Sequence, residues 1–378
     1  MPDTHSLPTS ADWIARADAL AASFAAQAQA HDESDAFVTE NYAALKREGF
    51  FKAHVPAELG GGGASYREIA GAIRRMGAAC SSTALAFAMH THIVAVNAWR
   101  WRHQGAPTDG MLKRVAAENL VLISSGGSDW LASAGRAVKV EGGFRISARK
   151  GFASGCPAGD LLVTSAVYDD PQDGPTVLHF AVSLKAEGAS VRETWRAMGM
   201  RGTGSHDVEL NEVFVADAAI SGKRPQGKWH PLFHAISLLA FPLIYSAYMG
   251  VADGARARAI EIARKKPADE AGAYLVGELE NAHTSAALAY EHMVALAETQ
   301  TPGPEATSQQ MIARTLVARH AIETCERALL AAGGGAYYRH AGLERAFRDV
   351  QAARFHPLQE KPQTRYTGRV LLGLDIDG

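Results

Sequence analysis

Cysteine is scarce in this chain of 378 residues. The three cysteines, Cys80, Cys156 and Cys325, are far apart and form no Cys-x-x-Cys pair, which excludes a disulfide framework and a zinc-finger site. An excess of one charge is also lacking, since 38 lysines and arginines balance 40 aspartates and glutamates. We therefore expect no nucleic acid partner, because domains that bind phosphate backbones carry a clustered basic excess.

Long hydrophobic runs are lacking too. No apolar run reaches the ~18 residues that span a bilayer, so we expect no membrane partner. The first thirty residues show no basic segment followed by an apolar one, so we expect no secretory signal and a cytoplasmic protein. The chain is 47% hydrophobic and long enough for two to three domains of about 100–200 residues.

Hydrophobic periodicity divides the chain into helical, β and helical parts, which predicts an α+β protein. Residues 1–117 repeat apolar positions every three or four residues and are predicted as an N-terminal helical domain. Residues 118–217 contain short apolar strands and a hairpin signal at Gly142-Gly143, typical of an antiparallel barrel or sandwich. Residues 218–378 are predicted as a four-helix bundle and tail, with helical segments at 234–264, 268–298, 307–332 and 341–353.

Glycines and hydroxyl side chains cluster in three segments of the β domain. Residues 126–129 (Gly-Gly-Ser-Asp) follow a strand and could turn backbone N–H groups toward a ligand, although such a segment is more often only a turn. In residues 150–156, Phe152 precedes Ser154 by two positions, so a ring could shield a planar cofactor beside a hydroxyl. The alternative is a buried phenylalanine at a strand edge. Residues 195–208 (Trp-Arg-Ala-Met-Gly-Met-Arg-Gly-Thr-Gly-Ser-His-Asp-Val) form a much more specific string.

Two histidine pairs have spacings that bear on metal binding and on which helix face each ring occupies. His230 and His234 are four residues apart, as in a helical metal pair, but no glutamate of a His-Glu-x-x-His motif lies between them and we expect no metal. His90 and His92 are two residues apart and therefore point to different faces of a helix. Their default interpretation is a core or cleft histidine.

Taken together, these segments resemble the acyl-CoA dehydrogenase superfamily over nearly the whole chain. The matching segments are 56–63, 126–129, 199–208, the glycines from Gly333 to Gly335, and 344–349. The resemblance implies a flavin between the β domain and the helical bundle, and a homotetramer. It implies that the following residues contact the cofactor: Ser125, Gly127, Ser128, Phe152, Ser154, Trp195, Arg201, Gly333 and Gly334.

The departures from the family concern its catalytic glutamate. The two positions where dehydrogenases carry that glutamate fall on Pro357 and Ala240, and neither side chain can act as a general base. Glu360 is the nearest substitute. The glutamine that precedes the family's diglycine is Leu330, so contacts to a dinucleotide tail are also missing. The cofactor is therefore predicted as flavin, either FMN or FAD.

Both losses resemble the flavin monooxygenase branch of the fold, the oxygenase components of two-component systems. That branch includes the 4-hydroxyphenylacetate hydroxylase oxygenase component and dibenzothiophene monooxygenase. The resemblance implies reduced flavin and O2 reacting through a C4a-hydroperoxyflavin, with a separate flavin reductase as partner. It implies that Ser154 holds flavin N5, that Phe152 and Trp195 shield the ring, and that His356, with a pKa near neutral, is the acid/base.

The pocket is expected between the helices and the tail, where His92 is a second catalytic candidate. His92, Phe241 and Tyr245 are predicted to contact a medium-sized apolar or aromatic substrate. Two alternatives stay open. One is an acyl-CoA dehydrogenase with Glu360 as a relocated base and an electron-transfer flavoprotein as partner. The other is an inactive flavin- or CoA-binding scaffold.

Overall fold

The N-terminal part of the chain is helical in the computed structural model, which describes residues 12–125, 127–267 and 269–378. Asp12 caps the first helix by accepting a hydrogen bond from Ala15 N–H, and Ser65 and Glu68 form a capping box at the third. The helices are α1 (Trp13–Ser34), α2 (Thr39–Arg47), α3 (Tyr66–Ala79), α4 (Ser81–Gln104) and α5 (Asp109–Glu118).

One sheet forms the middle of the chain. In the described residues its strands are β1 (Leu122–Ser124), β2 (Arg136–Val140), β3 (Gly143–Lys150), β4 (Leu161–Asp170), β5 (Gly174–Ser183), β6 (Ala189–Arg192), β7 (Asp207–Ala216) and β8 (Ile220–Pro225). The strand order is β6-β7-β3-β2-β4-β5-β8, with β1 beside β4. The predicted hairpin at Gly142-Gly143 is present, because β2 pairs with β3 across that turn.

The sheet is mixed rather than purely antiparallel as predicted. Both β1 and β2 run parallel to β4, while the other pairs are antiparallel. A parallel pair needs a crossover connection, here the intervening strands, and leaves no local turn signal in the sequence. The sheet also continues into β8, past the predicted domain boundary at residue 217.

The C-terminal helices follow the sheet. They are α6 (Pro231–Ala263), α7 (Glu270–Thr299), α8 (Pro304–Ala332), α9 (Leu343–Val350) and α10 (Glu360–Leu371). The segment predicted as a fourth long helix is the eight-residue α9. It is short because Gly342, at φ 72°, stands in the left-handed region at its start, and because residues 351–354 tighten into a 3₁₀ turn at its end.

α6 is the central helix of the fold. It is long and apolar enough to cross a membrane, but its most apolar window is 94% buried inside the protein, as in a core helix. It crosses α3 at close range: a Cβ atom on Gly250 would lie 2.2 Å from Arg74 O, and one on Gly77 would lie 2.5 Å from Ala247 O. Helix α4 packs on another side of α6. The space between α4, α6 and the sheet holds the candidate site.

Candidate active site

A cavity of about 300 Å³ lies where α4, α6, the sheet and the C-terminal tail meet. Most of its wall is apolar, with a few polar groups, as is usual for small-molecule sites. Its lining includes Met89, His92, Arg100, Ser125, Gly127, Asp129, His179, Arg224, Phe233, Ala240, Phe241, His356 and Pro357. Of the predicted substrate contacts, His92 and Phe241 line this cavity.

His92 presents a hydrogen-bond acceptor to this cavity. Its Nδ1 lies 3.2 Å from the carbonyl oxygen of Ala88, one turn earlier in α4. Because a carbonyl only accepts, Nδ1 carries the proton and Nε2 keeps its lone pair. Among the described residues Nε2 has no hydrogen-bond partner, so it is available to a ligand.

His356 presents the opposite hydrogen-bonding character. Its Nε2 lies 2.6 Å from the hydroxyl of Tyr248, which is fully buried and has no other partner in the described chain. A buried phenol must donate its proton, so Nε2 accepts and the ring proton resides on Nδ1. The tail is held in place by Arg314, which donates to the carbonyl oxygens of Ala353 at 2.9 Å and His356 at 2.7 Å.

Both histidines are neutral at physiological pH. Burial, together with the nearby charge of Arg314, lowers the pKa of His356 to about 3. Burial lowers the pKa of His92 to about 4. The predicted near-neutral pKa of His356 is therefore wrong, because the ring is enclosed and faces a cation without a carboxylate partner.

Ser125 is oriented by a buried ion pair. It donates to the carboxylate of Asp129 and accepts from the hydroxyl of Thr164 at 2.9 Å. Lys150 is fully buried and holds both Asp129 oxygens, at 2.7 and 2.9 Å, as well as the carbonyl oxygen of Ser165 at 2.6 Å. This network fixes the turn that contains Gly127, and burial lowers the pKa of Lys150.

The turn at 127–129 and the C-terminal tail share one wall of the cavity. A Cβ atom on Gly127 would lie 2.9 Å from Pro357 Cγ, so the tail packs directly on the glycine. Segments that are 230 residues apart in sequence, and that were predicted separately as cofactor and catalytic sites, are thus in contact. The side chain of the predicted contact Ser128 lies outside the described residues.

Ser154 is the first member of a directed chain of hydroxyl groups. Thr203 donates its one proton to Met200 O at 2.8 Å. The hydroxyls of Thr203 and Ser205 are 2.6 Å apart and those of Ser205 and Ser154 are 2.7 Å apart, so Ser205 must donate to Thr203 and Ser154 to Ser205. Since its proton is committed, Ser154 Oγ can only accept a hydrogen bond from a ligand.

Phe152 supplies an exposed aromatic face next to this acceptor. Its side chain is 61% exposed and its backbone has φ 57°, a conformation that is uncommon for an aromatic residue. It meets Trp195 edge to face, with ring centroids 6.1 Å apart. Gly155 packs against Ile123, so Ser154 lies beside the segment that leads to Ser125. A flat ring that carries an N–H group fits these residues, which is the description of reduced flavin.

Several predicted site residues are not in the cavity lining, among them Phe152, Ser154 and Trp195. Tyr245 is fully buried with its hydroxyl on Ala353 O, so it supports the tail rather than a substrate. The Nε of Arg201 is paired with Asp35 at 2.5 Å. Gly333 and Gly334 follow the end of α8, outside the cavity lining.

The two positions of the family glutamate, Ala240 and Pro357, both line the cavity. Glu360 does not: it forms an exposed ion pair with Arg319 at another cavity, and that hydrogen bond lowers its pKa. Asp129 is the lone carboxylate among the described lining residues, and it is bound to Lys150. A carboxylate base is thus absent from the described wall.

Sequence reasoning missed the cationic part of the cavity. Arg100, Arg224 and His179 line it, but they come from α4, β8 and β5. No local motif links these residues. The available signal was Arg100 itself, a charged side chain that follows the long buried stretch of α4.

Fold and site together are those of a flavoenzyme family, and the chain belongs to it. The N-terminal domain of acyl-CoA dehydrogenases matches residues 14–101, and the C-terminal domain matches residues 243–360. The predicted family and the predicted oxidoreductase class are confirmed.

Several relatives are named as hydroxylases, nitrososynthases or oxygenase components. The chain is 26% identical to the pigment production hydroxylase of Rhodococcus sp., covering 97% of this chain and 98% of that protein. It is 29% identical to an amino sugar nitrososynthase of Streptomyces rubradiris (93% and 87% covered). It is 24% identical to the oxygenase component of p-hydroxyphenylacetate 3-hydroxylase of Acinetobacter baumannii (89% and 83% covered).

A solved structure with the same fold contains a flavin. It is KijD3 in complex with FMN and dTDP-3-amino-2,3,6-trideoxy-4-keto-3-methyl-D-glucose. The TM-score is 0.88 at 25% sequence identity, covering 99% of this chain and 97% of that one. The prediction of a flavin, and of FMN as one of its forms, agrees with this structure.

Proposed function

We propose that the protein is a monooxygenase that uses reduced flavin and O2 on a medium-sized, largely apolar substrate. The observation that carries the proposal is the cavity wall. Both family positions for the proton-abstracting glutamate line it, and they are Ala240 and Pro357. Two neutral histidines stand there instead. The oxygenases among the relatives support the same reaction class.

The flavin is proposed to lie between Phe152, Ser154 and the turn that contains Gly127. Reduced flavin supplies the electrons that activate O2, a chemistry that belongs to the cofactor. Ser154 Oγ would accept a hydrogen bond from the N5–H group of a reduced flavin, because its own proton is committed to Ser205. Phe152 and Trp195 cover the ring.

The histidines handle protons of the substrate. His92 Nε2 accepts the proton of a substrate hydroxyl or amine, and His356 Nδ1–H donates a hydrogen bond to the oxygen that is transferred or released. Tyr248 and Arg314 hold His356 in this orientation. The apolar side chains of Met89, Phe233 and Phe241 exclude water from these groups.

Partners follow from the reaction. Flavin that arrives already reduced requires a separate flavin reductase, and the relative called an oxygenase component supports this arrangement. A homotetramer is also proposed. Large apolar side chains are exposed on the single chain, among them Phe355, Tyr337 and Leu372, and contact with further copies would cover them.

The test is an anaerobic mixing experiment. FMN and FAD are reduced in turn, bound to the protein and mixed with oxygenated buffer, while the absorbance of oxidised flavin is followed. Reoxidation of the bound flavin that is slower than reoxidation of free flavin supports the proposal. Reoxidation as fast as that of free flavin, with all consumed oxygen recovered as hydrogen peroxide, contradicts it.

The proton role is tested with His92→Ala and a matched control, His103→Ala, at the exposed end of the same helix. His92→Ala should lower product formation about 10²-fold or more while flavin still binds. His103→Ala should leave the rate unchanged.

Acyl-CoA dehydrogenation is the second candidate, because the family contains it. It predicts bleaching of bound oxidised FAD by an acyl-CoA without oxygen. The exposed Glu360–Arg319 pair makes Glu360 a poor base for a substrate in the cavity, and no bleaching is expected.

A further inference from the structure

One end of the cavity is cationic. Arg100 lines it from the last third of α4, half-buried. Among the described residues its guanidinium group has neither a hydrogen-bond partner nor an ion-pair partner, and burial lowers its pKa. A half-buried guanidinium without an acceptor is costly, and a ligand anion would remove that cost.

Arg224 is a second cation at the same end. It is almost fully buried and donates to Trp130 O at 3.0 Å, Leu131 O at 2.6 Å and His179 Nε2 at 3.1 Å. Its guanidinium also stacks on the ring of Phe233 at 4.6 Å. These neutral partners fix the group without forming an ion pair with it, although the charge of Asp129 also acts on it. Arg224 remains protonated at neutral pH, because burial lowers its pKa only to about 10.

Both charges act on the same neighbours. Burial first, then the charges of Arg224, His230 and Arg100, lower the pKa of His179 to about 3. Burial and the same two arginines lower the pKa of His230. Both histidines are therefore neutral and do not balance the charge of the arginines. Asp129, the lone carboxylate in the described lining, is bound through both oxygens to Lys150.

The cationic end lies well away from His92. Arg100 follows His92 by eight residues on one helix, which is about 12 Å along the helix axis. On α4 the residues between them that line the cavity are Ile93, Val96 and Asn97, of which only Asn97 is polar. A ligand that reaches both ends has an apolar or aromatic middle with an acidic group at one side.

We infer that the substrate is an anion, a carboxylate or phosphate ester, whose acidic group is bound by Arg100 with Arg224 behind it while its reacting atom lies at His92. The inference rests on the proposed function for the reacting end, but the anion site itself does not depend on it. Bidentate recognition of such groups is characteristic of arginine.

The experiment measures binding to flavin-free protein, so loss of oxygenase activity cannot affect it. The probes are 3-(4-hydroxyphenyl)propionate and its neutral amide, titrated by calorimetry, with shorter and longer homologous pairs alongside. We expect at least one acid to bind about tenfold or more tightly than its amide. Equal affinities of acid and amide throughout the series would overturn the inference.

Three variants assign the effect. Arg100→Gln should abolish most of the preference for the acid, and Arg100→Lys should retain part of it. The matched control is Arg102→Gln, which removes an exposed arginine that pairs with Glu58 on the same helix and should leave the preference unchanged. An undiminished preference in Arg100→Gln would place the anion elsewhere and contradict the inference.

The flavin phosphate is the competing source of the anion. The affinities of FMN and riboflavin are therefore compared in the wild type and in Arg100→Gln. An unchanged ratio is expected. A ratio that falls in Arg100→Gln would show that the arginines bind the cofactor's phosphate, and the substrate assignment would be abandoned.

Discussion

In the proposed flavin site, the role of the Ser154 hydroxyl depends on Thr203 and Ser205. Thr203 and Ser205 commit the serine proton, so that a lone pair faces outward. Such a group favours a ring nitrogen that carries hydrogen over one that does not. Reduced and oxidised flavin differ at N5 in this way.

Ser205→Ala should therefore reduce the preference of the protein for reduced flavin about fivefold, the value of one neutral hydrogen bond. The measurement compares the dissociation constants of reduced and oxidised FMN under nitrogen. Ser285→Ala, on the exposed face of α7, is the control. An unchanged ratio would remove the hydroxyl chain from cofactor binding.

The low pKa values of His92 and His356 predict the pH dependence of turnover. The neutral rings are the active forms, and they persist down to about pH 4 and about pH 3 respectively. The rate should thus be flat from pH 8 to pH 6, without the inflection near pH ~6.5 of an ordinary histidine. Its measurement needs a constant supply of reduced flavin. A single-proton decrease centred at that ordinary value would contradict the assignment.

Local sequence motifs were sufficient to predict part of the candidate site. Ser154, Phe152, His92 and His356 were predicted from motifs or from the family, and the structure places His92 and His356 in one cavity wall. The prediction that Tyr245 contacts the substrate was wrong. Its neighbour Ile244 lines the cavity, whereas Tyr245, one residue further along α6, points to the tail. Arg100 and Arg224 could not be paired in advance, because they come from α4 and β8 and line one cavity only in the folded chain.

At the crossing of α3 and α6 the two helix backbones are in close contact. Gly77 and Gly250 allow the two backbones to approach, and any side chain at either position meets a carbonyl oxygen. Because α6 also forms a wall of the cavity, this contact sets the position of that wall.

Gly250→Ala should destabilise the protein by about 2 kcal/mol or more, since the added methyl group overpacks two helices. Gly277→Ala is the matched control. Gly277 is exposed within α7 and an added Cβ would meet no other atom, so this substitution should stabilise the protein by up to ~1 kcal/mol. Urea denaturation of both variants measures the two free energies of unfolding. Equal effects would show that the crossing tolerates a side chain.

Most elements could be predicted from periodicity, and the failures share a physical cause. The three long C-terminal helices correspond to the predicted helical segments 234–264, 268–298 and 307–332. The parallel pairs of β1 and β2 with β4 were missed because strand partners of this kind are chosen by tertiary packing. The segment 341–353 has a helical pattern, but the φ of Gly342 limits where its helix can begin.

The whole molecule carries several histidines whose folded environment excludes charge. Burial is the first cause in each case, and it lowers their pKa to about 3 or about 4. They are His54, His90, His92, His179 and His356. An unfolded chain protonates them near pH ~6.5, so the unfolded state binds more protons and stability falls as the pH drops below that value.

The melting temperature should thus decrease steeply between pH 6.5 and pH 4.5. His90 alone, with Nε2 on Phe51 O and Nδ1 on Leu122 N–H, contributes about 2 kcal/mol of this loss at pH 5. Asp349 opposes it weakly, because burial raises its pKa to about 6 and its protonated form is favoured in the folded state. Calorimetric scans over this range provide the measurement. A melting temperature independent of pH would show that these rings are accessible to protons.

The contact of Gly127 with Pro357 has a consequence for biosynthesis. The cavity takes its walls from residues as early as Met89 and as late as Pro357, so local contacts cannot assemble it. The N-terminal helices can fold while the chain is still being made. The wall shared by the glycine turn and the tail closes only once the tail has been synthesised, so a nascent chain can fold its N-terminal helices before it acquires its site.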